Sequence, residues 1–175
     1  KSKYRNEYLE IFKFHNPKKT LKAHNIHHID LSKTNDNINN FKTFIKEFPN
    51  VRKLAETNLD QILSLWSGLG YYARARNIHE AAKIINTKHK GKVPSSLTEL
   101  ISLPGIGKST AGAILALGYK KKAAILDGNV KRVLSRHCKI KGDLSSSATI
   151  KNLWQMSEQF LPEDQIDTYT QAIMD

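Results

Sequence analysis

Cysteine is almost absent from this chain. Its 175 residues include a single cysteine, Cys138, so the chain by itself forms neither an internal disulfide nor a metal or iron–sulfur site with several cysteine ligands. A reducing, intracellular setting fits this composition. The chain also begins with Lys1 rather than Met, and we therefore expect it to be a fragment.

Long apolar runs and acidic residues are scarce as well. The longest apolar run, Ala111–Leu117, is far too short to cross a bilayer, which takes about 20 residues, and Lys1–Arg5 lack the apolar core of a signal peptide. Asp and Glu total 16 against 28 Lys and Arg, which leaves a net charge of +12. This excess favours a polyanionic partner such as nucleic acid, with an anionic membrane surface as the rival.

Helical periodicity dominates what is present, and no stretch of about 4–8 residues alternates cleanly between apolar and polar positions. Hydrophobic residues make up 39% of the chain, which is enough for a core. We predict an all-α fold in which a degenerate N-terminal segment, 1–40, precedes a helical core, 41–175. The apolar stripes that predict three of the helices are Leu59, Ile62, Leu63 and Trp66; Ile78, Ala81, Ala82 and Ile85; and Val130, Val133, Leu134 and His137.

A helix–hairpin–helix is predicted at about 96–117. A capping box that begins at Ser96 starts a short helix, and the string Leu103–Thr110 leads from it into a small apolar helix over Ala111–Leu117. Two glycines in the turn permit a positive φ and the close approach of a ligand, so that main-chain amides of the second helix hold a phosphate. A tight helix–helix turn without a ligand is the alternative. The two glycines are Gly105 and Gly107.

Asp127 stands where the next predicted helix begins. An aspartate at a helix N-cap is common and contributes about 1 kcal/mol to stability, so a purely structural role is one interpretation. The same position suits chemistry, because the helix dipole and the free amides keep the carboxylate ionised. An anion there stabilises a cation that develops on a substrate. The residues alone leave both interpretations open.

Taken together, Leu103–Thr110 and Leu126–Leu134 resemble the helix–hairpin–helix DNA glycosylase superfamily. The stretches Leu65–Asn77 and Gln171–Asp175 narrow the resemblance to the adenine DNA glycosylases of the MutY type. The resemblance implies a base excision repair enzyme that flips adenine out of the duplex and hydrolyses its N-glycosidic bond where adenine is mispaired with guanine or 8-oxoguanine. It also implies double-stranded DNA as the partner, no membrane association, a monomer, and a cytoplasmic, nucleoid-associated location in a bacterial source.

The resemblance assigns roles to individual residues. Asp127 matches the catalytic aspartate that stabilises an oxocarbenium-like sugar, Asn129 matches a residue that orders the site, and Tyr71 matches an aromatic that wedges into the base stack. A core or surface tyrosine is the alternative for Tyr71. Ser109 occupies a catalytic position at which endonuclease III relatives carry a nucleophilic Lys, and its hydroxyl forms no imine, so the resemblance implies a monofunctional glycosylase. The residues matched to the DNA-binding hairpin are Gly105, Gly107 and Lys108.

The sequence departs from this family at both ends. The family's Glu, which protonates the departing adenine, has no acidic counterpart, because counting along the chain places Ile26 or His28 at that position. His27 or His28 is a candidate for the acid. The family's four-Cys [4Fe–4S] loop would lie beyond Asp175, so we expect a fold incomplete at both ends, with no metal or cofactor ligated by this chain. A catalytically impaired DNA-binding remnant is the alternative to an active glycosylase.

Overall fold

The computed structural model describes residues 43–174. The predictions for 1–40, including those for Ile26, His27 and His28, lie outside these residues. The described part of the chain is helical throughout and contains no strand, which confirms the all-α prediction. After a short helical segment at 43–47, its helices are α1 Val51–Glu56, α2 Leu59–Leu65, α3 Tyr72–Lys88, α4 Leu97–Ile101, α5 Lys108–Tyr119, α6 Gly128–His137, α7 Ser147–Gln159 and α8 Ile166–Met174.

The described residues divide into two compact units. The first comprises 43–94 and Ser102–Ile106, and in it α1 and α2 pack against α3. The second comprises Ser95–Ile101 and 107–174, and in it α5 packs against α4 and α8, while α6 packs against α7 and α8.

The core of the first unit is built around aromatic side chains. The ring of Phe44 lies edge-on to those of Phe48 and Trp66, with centroid distances of 4.7 and 5.2 Å. The indole N–H of Trp66 donates a hydrogen bond to the Gly70 carbonyl at 2.9 Å, which satisfies the polar end of a buried ring. The stripe predicted from Ile78 to Ile85 is buried on α3, as its helical spacing requires.

The stripe predicted on α6 is only partly correct. Val130 and Leu134 are buried, but Val133 and His137 are exposed, and Ser135 is buried instead. A serine tolerates this position because its hydroxyl donates to the Lys131 carbonyl one turn earlier, at 2.6 Å.

A buried histidine in the first unit makes the free energy of unfolding depend on pH. His79, on α3, is 2% exposed, and within residues 43–174 its ring nitrogens make no hydrogen bond of ordinary geometry, although the backbone of Thr57 and Ala55 lies near enough to favour the charged ring slightly. Burial lowers the pKa of His79 below the ordinary histidine value, and the ammonium of Lys83 lowers it further. The folded chain therefore holds this ring neutral at pH values at which the unfolded chain protonates it.

We expect the free energy of unfolding to be highest above about pH 6.5 and to fall as the pH drops below it. Below that value His79 binds a proton in the unfolded state but stays neutral in the folded state. The free energy of unfolding therefore falls by up to about 1.4 kcal/mol for each pH unit. The loss stops once the pH passes below the lowered pKa of the folded state. Urea denaturation of the parent chain and of His79→Leu between pH 5 and pH 8 measures the effect. Parallel pH curves for the two proteins would contradict it.

Candidate functional site

The turn of the helix–hairpin–helix uses its two glycines in different ways. Gly105 has a φ of +76°, and a Cβ at this position would lie 2.8 Å from the Asn77 side chain, so only glycine fits. Gly107 has a φ of −86° and a ψ of 173°, an extended conformation open to any residue. Both glycines permit a positive φ, but only Gly105 adopts one, because Gly107 is the N-cap of α5 and N-caps are extended.

The helix that follows begins at Lys108 and not at Ala111, because nothing in the three intervening residues breaks a helix. Ser109 therefore lies in the first turn of α5. No side chain caps this helix, and nothing lies within 4 Å of the position that a Cβ on Gly107 would take. The first amides of α5 therefore have no side-chain cap, the space beside the N-cap is open, and the positive end of the helix dipole lies at this end, which suits the binding of phosphate.

Most of the other described helices carry a side-chain cap at their start, which α5 lacks. Side-chain oxygens cap α1, α2, α4, α6 and α7, whereas α3 and α5 have no side-chain cap. The uncapped helices start next to Tyr71 and at Gly107, two of the predicted DNA-binding residues. The residues that cap α1, α2, α4, α6 and α7 are, in that order, Asn50, Asn58, Ser96, Asp127 and Ser146.

Tyr71 is held in an unusual conformation at the surface of the first unit. Its backbone is left-handed, with φ 51° and ψ 55°, and its side chain is 62% exposed, so the core interpretation is wrong. A left-handed conformation is uncommon and costly for a bulky residue. The guanidinium of Arg74 lies 4.6 Å from the centroid of the ring. An exposed aromatic ring beside a cation is suited to stacking on a base next to a phosphate.

Asp127 is the N-cap of α6, as predicted. Its Oδ1 accepts a hydrogen bond from the Val130 amide at 2.9 Å, and the residue is half-buried. Among residues 43–174, no hydrogen-bond partner is found for Oδ2 and no cation lies within ion-pair distance of the carboxylate. One oxygen therefore secures the helix while the negative charge stays available to a ligand. This geometry accommodates both the structural and the catalytic interpretation.

The segment that leads into Asp127 is fastened to two helices. The Ser109 hydroxyl of α5 accepts a hydrogen bond from the Leu126 amide at 3.0 Å, and the Ser157 hydroxyl of α7 donates one to the Ile125 carbonyl at 2.7 Å. The segment also touches α5 directly, because a Cβ on Gly112 would overlap the Ala124 carbonyl oxygen. Sequence reasoning placed Ser157 on a helical stripe with Leu153 but missed that Ser157 and Gly112 hold this segment. A glycine inside a run of alanines was the one signal available for Gly112.

Asn129 connects the start of α6 to the end of α8. Its side-chain amide donates to the Met174 carbonyl at 2.8 Å, which fills one of the acceptors left open at a helix C-terminus. The structure therefore brings Ser109, Asp127 and Asn129 together around the start of α6, within the second unit.

The lysines nearest to the hairpin in sequence are occupied within the second unit. Lys108 pairs with Glu158 at 3.3 Å, and its ammonium lies 4.0 Å from the centroid of the Trp154 ring. The lysine run at 120–122 is engaged too: Lys120 pairs with Asp167, Lys121 donates to Ser95, and Lys122 pairs with Glu163. In the part of the chain that the structure describes, the cations without an ion-pair partner around α6 and the loop after it are Lys131, Arg132, Arg136, Lys139 and Lys141.

The residues of this chain do not fit an iron–sulfur cluster. The one cysteine, Cys138, is the half-buried C-cap residue of α6, and one thiolate cannot replace four. Across residues 43–174, no group of three or more His, Cys, Asp or Glu side chains is arranged to hold a metal ion. In the same range, no helix has the length and apolar character needed to span a membrane.

Several known proteins are similar to this chain. A family model described as HhH-GPD superfamily base excision DNA repair protein matches residues 21–159. The adenine DNA glycosylase of Buchnera aphidicola subsp. Baizongia pistaciae is 50% identical over 132 residues, which are 75% of this chain and 37% of that protein. The adenine DNA glycosylase of Homo sapiens is 34% identical over 139 residues, 79% of this chain and 26% of that protein. The chain thus spans well under half the length of these relatives.

Solved structures share the fold. A thermostable thymine-DNA glycosylase superposes with a TM-score of 0.73 at 22% identity, covering 98% of this chain and 73% of that one. An endonuclease III trapped in a covalent intermediate with DNA superposes with a TM-score of 0.66 at 22% identity, covering 78% of this chain and 62% of that one.

Proposed function

This chain belongs to the HhH-GPD superfamily of base excision DNA repair proteins, and from that membership we propose that it is the core of an adenine DNA glycosylase. Relatives named adenine DNA glycosylase in bacteria and in eukaryotes support the substrate class. The observation that carries the proposal is the Asp127 carboxylate, half-buried at the start of α6 and without a neutralising cation among the described residues.

The proposed reaction is hydrolysis of the N-glycosidic bond. The bond between C1′ and the adenine nitrogen breaks, its electron pair leaves with adenine, and adenine takes up a proton. C1′ becomes an oxocarbenium-like cation, which the Asp127 carboxylate stabilises until water adds and releases a proton. Ser109 supplies no amine for an imine, so the sugar stays free and the strand is not cut.

DNA is held and distorted by other parts of the chain in this proposal. The amides at the start of α5 bind a backbone phosphate, which positions the duplex without reading its sequence. The exposed ring of Tyr71 stacks against bases and helps adenine leave the helix. We propose duplexes with A·G or A·8-oxoguanine mispairs as the substrate, a monomeric protein and, in a bacterium, a location in the cytoplasm with the nucleoid.

A DNA-binding remnant is the second candidate function. It is favoured by one observation, the absence of an acid at Ile26 and His28, where the resembled family carries its Glu. Binding through the hairpin needs no acid, so this candidate keeps the phosphate contacts and lacks the chemistry.

The proposed DNA binding through the hairpin predicts that Gly107→Val loses affinity for duplex DNA. Its extended backbone accepts valine and the added atoms meet open space, so the free energy of unfolding should fall by no more than about 1 kcal/mol, the cost of a poorer N-cap residue. Affinity for duplex DNA should fall about tenfold or more, because the branched side chain blocks phosphate from the α5 amides. Fluorescence anisotropy at several salt concentrations gives the affinities, and log K should fall linearly with log[salt] in the parent chain.

Two outcomes would count against this. The first is salt-independent binding by the parent chain. The second is a Gly107→Val chain that is folded under the assay conditions and binds DNA as tightly as its parent does.

A further inference from the structure

Ser157 stands apart from the sequence motifs and from the residues matched to the family. It lies on α7 and is 2% exposed, and its hydroxyl donates to the Ile125 carbonyl, 32 positions earlier in the chain. A buried helical serine usually satisfies its hydroxyl on the carbonyl one turn before it. Ser135 on α6 does this with Lys131. Ser157 instead reaches out of its own helix.

The Ile125 carbonyl belongs to a peptide group whose oxygen and N–H are both hydrogen-bonded to serine side chains. The Ile125 carbonyl and the Leu126 amide belong to the same peptide bond, which is planar. Ser157 donates to its oxygen at 2.7 Å, and Ser109 accepts from its N–H at 3.0 Å. Two serines on two helices therefore fix the rotation of this plane, and with it ψ of Ile125 and φ of Leu126.

This peptide group lies one residue before the peptide bond to Asp127, so its orientation helps to set where the Asp127 backbone begins. Ile125 is 3% exposed, and water has little access to its carbonyl if the serine hydroxyl is removed. A buried carbonyl without a partner is costly, so the segment would rotate to find another donor. Asp127 would move with it, and electrostatic stabilisation of a developing cation is sensitive to displacements of about 1 Å.

We propose that Ser157 is a positioning residue for the Asp127 carboxylate, acting with Ser109 through the peptide group between Ile125 and Leu126. This inference rests on the proposed function of Asp127. It assigns Ser157 no contact with DNA and predicts that its loss impairs stabilisation of a cationic sugar while leaving the binding of DNA intact.

The test compares two duplexes that differ by one charge. One carries a tetrahydrofuran in place of a deoxyribose, and the other a pyrrolidine, which is protonated at pH 7 and resembles the cationic sugar. The parent chain should bind the pyrrolidine duplex more tightly, and Asp127→Asn should remove that preference. Ser157→Ala should reduce the preference about tenfold and leave affinity for the tetrahydrofuran duplex unchanged.

The matched control is Ser135→Ala, which deletes a buried hydroxyl whose acceptor lies in its own helix and should alter neither affinity. Hydrogen exchange read by NMR provides a measurement that does not depend on DNA. The Leu126 amide should exchange faster in Ser157→Ala than in the parent chain or in Ser135→Ala.

Each outcome decides between the inference and its premise. A parent chain without an Asp127-dependent preference overturns the proposed function and the inference with it. An Asp127-dependent preference that survives in Ser157→Ala overturns the inference alone. If Ser157→Ala weakens binding to both duplexes equally, or leaves exchange of the Leu126 amide unchanged, Ser157 has only a general structural role, and the inference is overturned as well. The inference is supported if Ser157→Ala loses the preference for the pyrrolidine duplex, exchanges the Leu126 amide faster and binds the tetrahydrofuran duplex as tightly as the parent chain does.

Discussion

Gly112→Ala is expected to destabilise the chain by about 2–4 kcal/mol, although alanine is the better helix former. An alanine Cβ would overlap the Ala124 carbonyl oxygen, which is backbone and cannot rotate away. The segment 124–126 would have to leave α5, and the hydrogen bonds from the Leu126 amide to Ser109 and from Ser157 to the Ile125 carbonyl would then break. The midpoint of urea denaturation, with the slope checked for two-state behaviour, measures the loss.

Gly128→Ala provides the control for this substitution. Gly128 is also a helical glycine, the first residue of α6, but a Cβ there meets nothing within 4 Å. Its replacement should leave stability unchanged or raise it slightly, because alanine is favoured in a helix. If Gly112→Ala proves as stable as Gly128→Ala, the close contact between α5 and the segment before Asp127 does not hold that segment.

Adenine release by this chain is expected to be about 10²–10⁴ times slower than release by a full-length adenine DNA glycosylase that carries the family's Glu. Asp127 stabilises the sugar cation in the proposed reaction but does not protonate the departing base. The positions matched to that acid hold Ile26 or His28, neither of which is a carboxylic acid. Single-turnover release from an A·8-oxoguanine duplex, under saturating protein, measures the rate.

Asp127→Asn separates slow catalysis from none. This substitution should abolish the remaining adenine release without weakening DNA binding. No sample, parent or variant, should show strand breaks before treatment with hot alkali, because Ser109 forms no imine. Fast release that Asp127→Asn abolishes would contradict the expected rate and point to another acid, with His27 and His28 the first to replace. Slow release that Asp127→Asn leaves unchanged would contradict the role of Asp127 and favour the DNA-binding remnant.

The features that could be predicted from sequence are those held by near neighbours in the chain. Asp127 caps α6 through the Val130 amide three residues on, and Ser96 caps α4 through the Glu99 amide at 3.4 Å. The all-α fold and the buried face of α3 follow from side-chain spacing within single helices. A cap or a stripe involves a few consecutive residues, so their types alone determine it.

The ion pairs of the surface lysines could not be predicted from local sequence patterns. Lys108 and the lysine run at 120–122 look like free cations in the sequence, yet they pair with Glu158, Asp167 and Glu163 on distant parts of the chain. Val133 fits an apolar stripe but is exposed, because the packing of α6 against α7 and α8 selects which face is buried. Neither result is encoded in a local pattern.

The sequence by itself determined the helices, the hairpin and the position of Asp127 at a helix start, because each depends on contacts between residues a few positions apart. Only the tertiary structure decided how Asp127 is supported. Ser109 and Ser157 lie 17 and 32 residues from the atoms that they bond, and Gly112 matters only because α5 packs against the segment before Asp127. Such partners share no local pattern, and they become neighbours only when helices distant in the chain pack together.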